Sequence, residues 1–429
     1  MKKGFLFLIS LITVVFTFAQ DDLIKANTGT GGRSNFTVIK QVPATPVKNQ
    51  AMTGTCWSFS TTSLVESQAL KNNLGEFDLS EMFTVRNIYM EKARNYILRQ
   101  GHAQFGEGGL GHNQILAIAT YGAMPESVYS GLKPGQKSHN HQKLVSSLQS
   151  YLDSLLKHIP IAANWMDGFV KILDDELGKP PAKFDYNGKT YTAQSFAKTA
   201  LQFNANDYVF ITSFTHHPFY EPFVLEVPDN FSNGAYINVP LDEMIQLTKD
   251  AITGGYSVLW DADVSNTGFM QGRGIAGLYD TSINSMRTSN RTKAKALAEK
   301  EKNKKVESAD AAMNTNKPVE SNKDAGNAKV NEKIAYSDGT KEEVVWDADL
   351  RQALFENLTT QDDHLMHITG LERSKAGKDF FIVKNSWGKV GPDDGYINVS
   401  EGYFAINTLS LVVPKAAFSK AMLEKLKIK

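Results

Sequence analysis

The pattern of apolar and polar positions predicts helices in the first half of the chain and mainly strands in the second. Apolar residues recur three and four positions apart over 142–156 and 165–177, which is the period of an amphipathic helix. From Tyr208 onward, short runs of aliphatic and aromatic residues predict strands. These runs are 208–211, 223–227, 256–260, 379–383 and 395–399. A further helix is predicted over 241–252.

The first residues have the pattern of a secretory signal peptide. Lys2 and Lys3 precede an apolar run over 4–18, and small residues stand just before Gln20. We therefore expect residues 1–19 to be removed and the mature protein to be exported, to the periplasm or the cell exterior. We expect no membrane insertion after cleavage.

Charge and cysteine content narrow the function classes. The chain has 46 Lys and Arg residues against 46 Asp and Glu residues, so its formal net charge is zero. That balance argues against a general nucleic-acid binder, which needs a basic surface. Cys56 is the single cysteine, so an intramolecular disulfide cannot form. Its thiol is either buried and inert or placed for chemistry.

The sequence around Cys56 favours chemistry. Gly54 and Thr55 form a turn before it, and a helical pattern follows until the polar residues at 72–75. A thiol at a helix N-terminus faces free N–H groups, which favour the thiolate. Gln50, six residues earlier, is either a surface residue or a donor that stabilises an oxyanion together with the Cys56 N–H.

A thiolate nucleophile needs a base and a group that orients the base. Among nine histidines, His364 begins an apolar strand and Asn385 follows the strand predicted at 379–383, so both lie near matching ends of a hairpin. The Asn385 oxygen can accept from one imidazole nitrogen while the other faces the thiol, and Trp387 can cover that hydrogen bond. The doublet at 216–217 has no partners at metal-ligand spacing, so we expect no metal site.

Together these residues resemble the papain superfamily of cysteine peptidases, and within it the bleomycin hydrolase and aminopeptidase C branch. The resemblance is carried by Gln50, 54–57, His364 and 385–388, with further matching words at 46–50, 79–81, 106–110, 121–125 and 363–366.

The resemblance implies an α+β fold with a helical lobe, an antiparallel β lobe and an inserted helical subdomain. It implies Cys56 as nucleophile, His364 as base and then acid, Asn385 as orienting residue and Gln50 as oxyanion donor. Gly108 and Gly109 match a glycine pair that lines the cleft and pairs with the substrate backbone, although the alternative is a simple loop. Peptides are the implied substrates, cleaved through an acyl-thioenzyme without metal or organic cofactor.

The predicted organisation divides the chain into seven parts. They are the signal peptide (1–19), an N-terminal segment and helical lobe (20–130), the inserted helical subdomain (131–204), the start of the β lobe (205–285), a low-complexity insertion expected to be disordered (286–335), the catalytic β lobe (336–413) and a short C-terminal tail (414–429).

The tail leaves the specificity open. In this branch a longer C-terminal arm enters the cleft, and its terminal carboxylate restricts the enzyme to free N-termini. Residues 414–429 are too few to reach across the cleft. The sequence therefore predicts a more open cleft that accepts N-blocked peptides. Aminopeptidase and endopeptidase specificity both remain alternatives, and the sequence is compatible with a monomer and with a homo-oligomer. A non-catalytic peptide-binding protein on the same scaffold is the third alternative, although such proteins typically lose the nucleophile or base.

Overall fold

The computed structural model describes residues 35–279 and 339–428. The predicted signal peptide and the predicted disordered insertion lie outside these residues. Within them, no helix is both long and apolar enough to cross a membrane.

Helices dominate the first half of the described chain and recur between strands in the second. The helices are α1 (Cys56–Lys71), α2 (Glu81–Leu98), α3 (Gly111–Tyr121), α4 (Gln142–Leu155), α5 (Trp165–Leu177), α6 (Ala193–Ser195), α7 (Leu241–Thr253), α8 (Ala348–Glu356), α9 (Glu401–Asn407) and α10 (Lys420–Lys425). Single turns of other helix types lie at Phe196–Ala200, Ala205–Asp207, Gln271–Arg273 and Lys415–Ala417.

Strands form one large sheet and one small hairpin. The strands are β1 (Phe36–Gln41), β2 (Phe184–Tyr186), β3 (Lys189–Tyr191), β4 (Tyr208–Thr212), β5 (Pro222–Val224), β6 (Ala235–Asn238), β7 (Val258–Ala262), β8 (Phe269–Met270), β9 (Ile275–Ala276), β10 (His364–Ser374), β11 (Asp379–Lys384), β12 (Tyr396–Ser400) and β13 (Thr408–Pro414). The large sheet runs β5-β6-β4-β13-β7-β10-β11-β12-β9-β8, β1 pairs with β10, and β2 pairs with β3.

Two main hydrophobic cores lie on either side of the central strands. The first joins the helical half to the sheet, because Trp57 and Leu64 of α1 belong to the same buried cluster as Leu259 and Leu365 of the strands. The second lies between the sheet and α7 and includes Trp260. This α+β arrangement confirms the predicted fold class. It also brings the start of α1 against the central strands, where the two halves meet.

The predicted elements agree with the structure best where the pattern is long and periodic. The helices predicted at 142–156, 165–177 and 241–252 are α4, α5 and α7. The strand predicted at 223–227 ends at Val224, because the Val227 N–H turns back to bond Leu225 O. The predicted C-terminal tail contains α10, which begins where the Ser419 side chain accepts from Met422 N.

The segment predicted as a helical subdomain, 131–204, also contains the β2–β3 hairpin. Asn187 and Gly188 connect its strands with φ values of 48° and 76°. An Asn-Gly pair favours such a two-residue turn because both positions need positive φ. The prediction of a helical subdomain did not take the Asn187-Gly188 turn into account.

Candidate active site

Cys56 is the first residue of α1, at the end of a turn that is fixed from two sides. The Gly54 N–H donates to Glu107 Oε2 at 2.7 Å, and the Thr53 and Thr55 hydroxyls lie 2.6 Å apart. Thr55, which precedes the helix, makes no side-chain cap. The first N–H groups of α1 therefore have no intrahelical acceptor, and the Cys56 N–H is among them.

Helix α1 packs against the first residues of β10. One turn after Cys56, Ser60 Oγ donates to Leu365 O at 2.6 Å, and the Cys56 sulfur shares a backbone hydrogen bond with Leu365. Because Leu365 directly follows His364, these bonds hold the cysteine beside the histidine although 307 residues of chain separate their positions.

His364 and Asn385 form the second half of the site. His364 begins β10 and Asn385 follows β11, in a hairpin where His367 pairs with Lys384. His364 Nε2 lies 2.8 Å from Asn385 Oδ1. That bond leaves Nδ1 of the imidazole for the thiol. The Trp387 ring covers the pair, with its centroid 4.7 Å from that of His364.

Gln50 is buried and bonded to the segment that carries Asn385. Its Oε1 accepts from Ser386 Oγ at 2.6 Å, and its Nε2 donates to Thr53 O at 2.7 Å. The Gln50 backbone N–H also donates to Ser386 O at 2.8 Å. One hydrogen of the Gln50 amide remains after the bond to Thr53 O, and an oxyanion donor needs one.

The glycine pair predicted to line the cleft stands between α1 and a later loop. A side chain at Gly109 would lie 3.1 Å from the Trp57 ring, and one at Gly108 would lie 1.9 Å from Asp229 Oδ2. Lys92 supports the pair from the protein interior, donating to Gly106 O at 2.9 Å and to Gly108 O. Both glycines are therefore positions where close approach excludes a side chain.

Comparison with known proteins agrees with this geometry. Residues 34–94 and 264–412 match the papain family of cysteine proteases. The chain is 20% identical to aminopeptidase G of Lactobacillus delbrueckii, over 92% of this chain and 86% of that one. It is 21% identical to aminopeptidase C of Listeria monocytogenes, over 90% and 83% of the two chains.

A solved structure supports the fold independently. The crystal structure of PepW from Lactobacillus rhamnosis superposes with a TM-score of 0.63 at 18% identity, covering 96% of this chain and 90% of that one. The chain is a papain-like cysteine peptidase. The aminopeptidases G and C that match it confirm its resemblance to the bleomycin hydrolase and aminopeptidase C branch of this superfamily.

Burial of the peptidase's cleft changes the expected ionisation of Cys56. Burial raises the pKa of the Cys56 thiol, the hydrogen bond with Leu365 lowers it, and the charges of Asp229, Asp363 and Asp362 raise it further. Burial of the thiol therefore opposes the thiolate that the helix N-terminus favours.

His364 is accordingly required as the proton acceptor. Burial lowers its pKa to about 4, and the hydrogen bond that its imidazole donates to Asn385 acts in the opposite direction. Moving the Cys56 proton to His364 creates two opposite charges together, and their attraction in a buried cleft offsets part of the cost of desolvation. The pair is built to ionise jointly.

Sequence reasoning missed three residues of the peptidase site. Gln271 Oε1 accepts from Asn385 Nδ2 at 3.0 Å, so it holds the amide that orients His364. Glu107 fixes the turn before the nucleophile, and Asp229 lies against Gly108. Glu107 lies within a word that matched the branch, but nothing local distinguishes Gln271 or Asp229.

No metal centre accompanies these residues in the described part of the peptidase. Over residues 35–279 and 339–428, no group of three His, Cys, Asp or Glu side chains could hold a metal ion.

Proposed function

We propose that this peptidase is an exported aminopeptidase that hydrolyses peptide bonds through a thioester on Cys56. The observation that carries the proposal is the 2.8 Å bond between His364 Nε2 and Asn385 Oδ1, at the strand end held against the first turn of α1. A nucleophile, a base and a group that orients the base are the minimum for thiol catalysis.

The proposed reaction uses each of these groups once in each half of the cycle. His364 takes the thiol proton as Sγ of Cys56 attacks the carbonyl carbon. The resulting oxyanion accepts from the Cys56 N–H and from the second hydrogen of Gln50 Nε2. His364 then protonates the departing amine, and a water molecule that gives its proton to His364 hydrolyses the thioester.

Named relatives favour an aminopeptidase. The aminopeptidases G and C that match this chain do so over nine-tenths of its length. The second candidate, an endopeptidase with an open cleft, is favoured by the tail. Lys425 bonds Glu243 at 2.6 Å and Lys427 bonds Glu221, so the described tail packs on α7 and near β5.

Activity on fluorogenic peptides under reducing conditions tests the proposal. We expect the purified protein to cleave an aminoacyl-coumarinamide and Cys56→Ala to lose that activity. Ser67→Ala is the matched control on α1, because Ser67 Oγ is buried without a hydrogen-bond partner. Full activity in Cys56→Ala would overturn the thiol mechanism.

Export is tested separately. The N-terminal sequence of the protein recovered from the periplasm or medium should begin at Gln20. Recovery of the full chain from the cytoplasm alone would contradict export.

A further inference from the structure

Asp229 lies against Gly108, on a loop that is held in place. The loop follows β5, and Asn230 closes it by donating from Nδ2 to Leu225 O and Gly234 O, each at 2.8 Å. The Asp229 N–H donates to Asp362 Oδ2 at 3.3 Å, two residues before His364. The loop is therefore connected to the same segment that carries the catalytic base.

The Asp229 carboxylate covers the face of Gly108. A Cβ added to Gly108 would lie 1.9 Å from Oδ2, 2.2 Å from Cγ and 2.3 Å from Oδ1. The whole carboxylate thus stands over the glycine that was expected to pair with a substrate backbone. A peptide that continued past the residue bound at Cys56 would meet this group.

The charge of Asp229 is not neutralised by a direct partner. Among the residues that the structure describes, Asp229 forms no ion pair, because Lys92 directs its hydrogens to Gly106 O and Gly108 O. Its side chain has a single long contact, from Gln104 Nε2 at 3.5 Å. The side chain is partly exposed; burial raises the pKa of its carboxyl and the nearby charge of Lys92 lowers it. Of the three carboxylates that raise the pKa of the Cys56 thiol, Asp229 has the largest effect.

We propose that the Asp229 carboxylate receives the free α-ammonium of the substrate and closes the cleft one residue before the scissile bond. A cation is the group that a half-buried, unpaired carboxylate binds best, and the ammonium of an N-terminal residue is the cation that a peptide brings. The inference rests on the proposed peptidase function. It replaces the open cleft that the short tail predicted, since the closing group comes from the β5 loop.

Matched substrates and variants test the role of Asp229. Leucyl-coumarinamide and its N-acetyl form are compared in the wild type, Asp229→Asn and the control Glu226→Gln, an exposed carboxylate on the same loop. We expect the wild type to prefer the free amine. Asp229→Asn keeps the shape and should lower kcat/KM on the free amine by about 10- to 100-fold. Its activity on the acetylated substrate should change little.

A second variant separates charge from obstruction. Asp229→Ala removes both, so it should cleave an N-blocked dipeptidyl-coumarinamide faster than the wild type does. Thermal unfolding of each variant checks that it is folded. Equal use of free and acetylated substrate by the wild type, or an Asp229→Asn enzyme indistinguishable from Glu226→Gln, would overturn the inference.

The inference can fail separately from the peptidase proposal. Alkylation of Cys56 by leucyl chloromethane and by its N-acetyl form measures ammonium recognition without turnover. Faster labelling by the free amine, lost in Asp229→Asn, supports Asp229 even if no amide is hydrolysed. Turnover with no such preference would leave the peptidase standing and remove Asp229 from its site.

Discussion

Two groups of ionisable side chains border α1, and they differ in the balance of acidic and basic members. The group on one side, which we call the balanced cluster, consists of Lys48, Glu66, Glu81 and Lys384. Lys48 Nζ lies 2.8 Å from Glu81 Oε1, and Lys384 Nζ donates to the Ser63 hydroxyl at 2.7 Å. Two cations therefore face two buried carboxylates, and Lys48 Nζ also lies 2.7 Å from Oδ1 of the exposed Asp78.

The other group, which we call the acidic cluster, consists of Asp229, Asp261, Asp362 and Asp363. Burial raises the pKa of Asp261 to about 8, with the charges of Asp229 and Asp363 acting in the same direction. Burial also raises the pKa of Asp362. Burial raises the pKa of Asp229 as well, and the nearby charge of Lys92 opposes that shift. Four acidic side chains therefore lie together, and Lys92 acts on two of them, Asp229 and Asp362.

This difference suggests separate roles. The balanced cluster stabilises the fold, and the acidic cluster faces the cleft where a ligand binds. The attraction between two paired buried charges offsets much of the free energy lost when they are removed from water. Removing one partner leaves the other charge uncompensated. We therefore expect changes in the balanced cluster to act mainly on stability, and changes at the cleft to act mainly on turnover or on its pH dependence.

The largest effect is expected for His364→Ala. The Cys56 thiol then loses its proton acceptor, so kcat should fall by up to about 10,000-fold. The unfolding midpoint should stay close to that of the wild type. His102→Ala, at an exposed histidine, is the control. A large loss of stability together with activity would show that the cleft is not separable from the fold.

Lys48→Met tests the balanced cluster. It leaves Glu81 buried without its ion pair, so the free energy of unfolding in urea should fall by about 3 to 5 kcal/mol. The exposed Lys40→Met should change it little. If Lys48→Met lowers kcat while the free energy of unfolding stays unchanged, the proposed division between the two clusters is wrong.

Glu107→Gln tests a largely buried carboxyl beside the nucleophile through the pH dependence of stability. Burial raises the pKa of Glu107 to about 7 from 4.5, while the Gly54 hydrogen bond and Lys92 oppose the shift. Between these values the folded protein holds a proton that the unfolded chain has released, so this group lowers stability as pH rises through the window. The variant should lack that loss, a difference of about 2 to 3 kcal/mol between pH 4.5 and 7.5.

Urea unfolding at the two pH values measures this difference. Glu76→Gln, at an exposed glutamate with no structural partner of this kind, should follow the wild type. If the free energy of unfolding depends on pH in the same way in the wild type and in Glu107→Gln, Glu107 is not the group with the raised pKa.

The smallest effect is expected for Gln271→Ala. Asn385 loses the acceptor of its Nδ2, so the amide is less well fixed and kcat should fall about tenfold with KM nearly unchanged. Gln361→Ala, at an exposed glutamine, is the control. A change in KM alone would show that Gln271 acts on binding and not through Asn385.

Local sequence was enough for the parts of the site that short segments build. The turn before Cys56, the helix after it and the strands that carry His364 and Asn385 all have local signals, because caps, turns and periodic burial are decided within a few residues. The same signals failed at 223–227, where a run of four apolar residues and Glu226 turns away from the sheet after Val224.

Distant segments decided the rest. The sequence by itself determined the turn and helix around Cys56, the partners His364 and Asn385, and the α+β class. Only the tertiary structure placed Glu107 on the Gly54 N–H, Gln271 on Asn385 and Asp229 on Gly108. The physical reason is that a carboxylate or amide has no periodic pattern of its own, and its role depends on which far segment the packed core brings within a hydrogen bond of it.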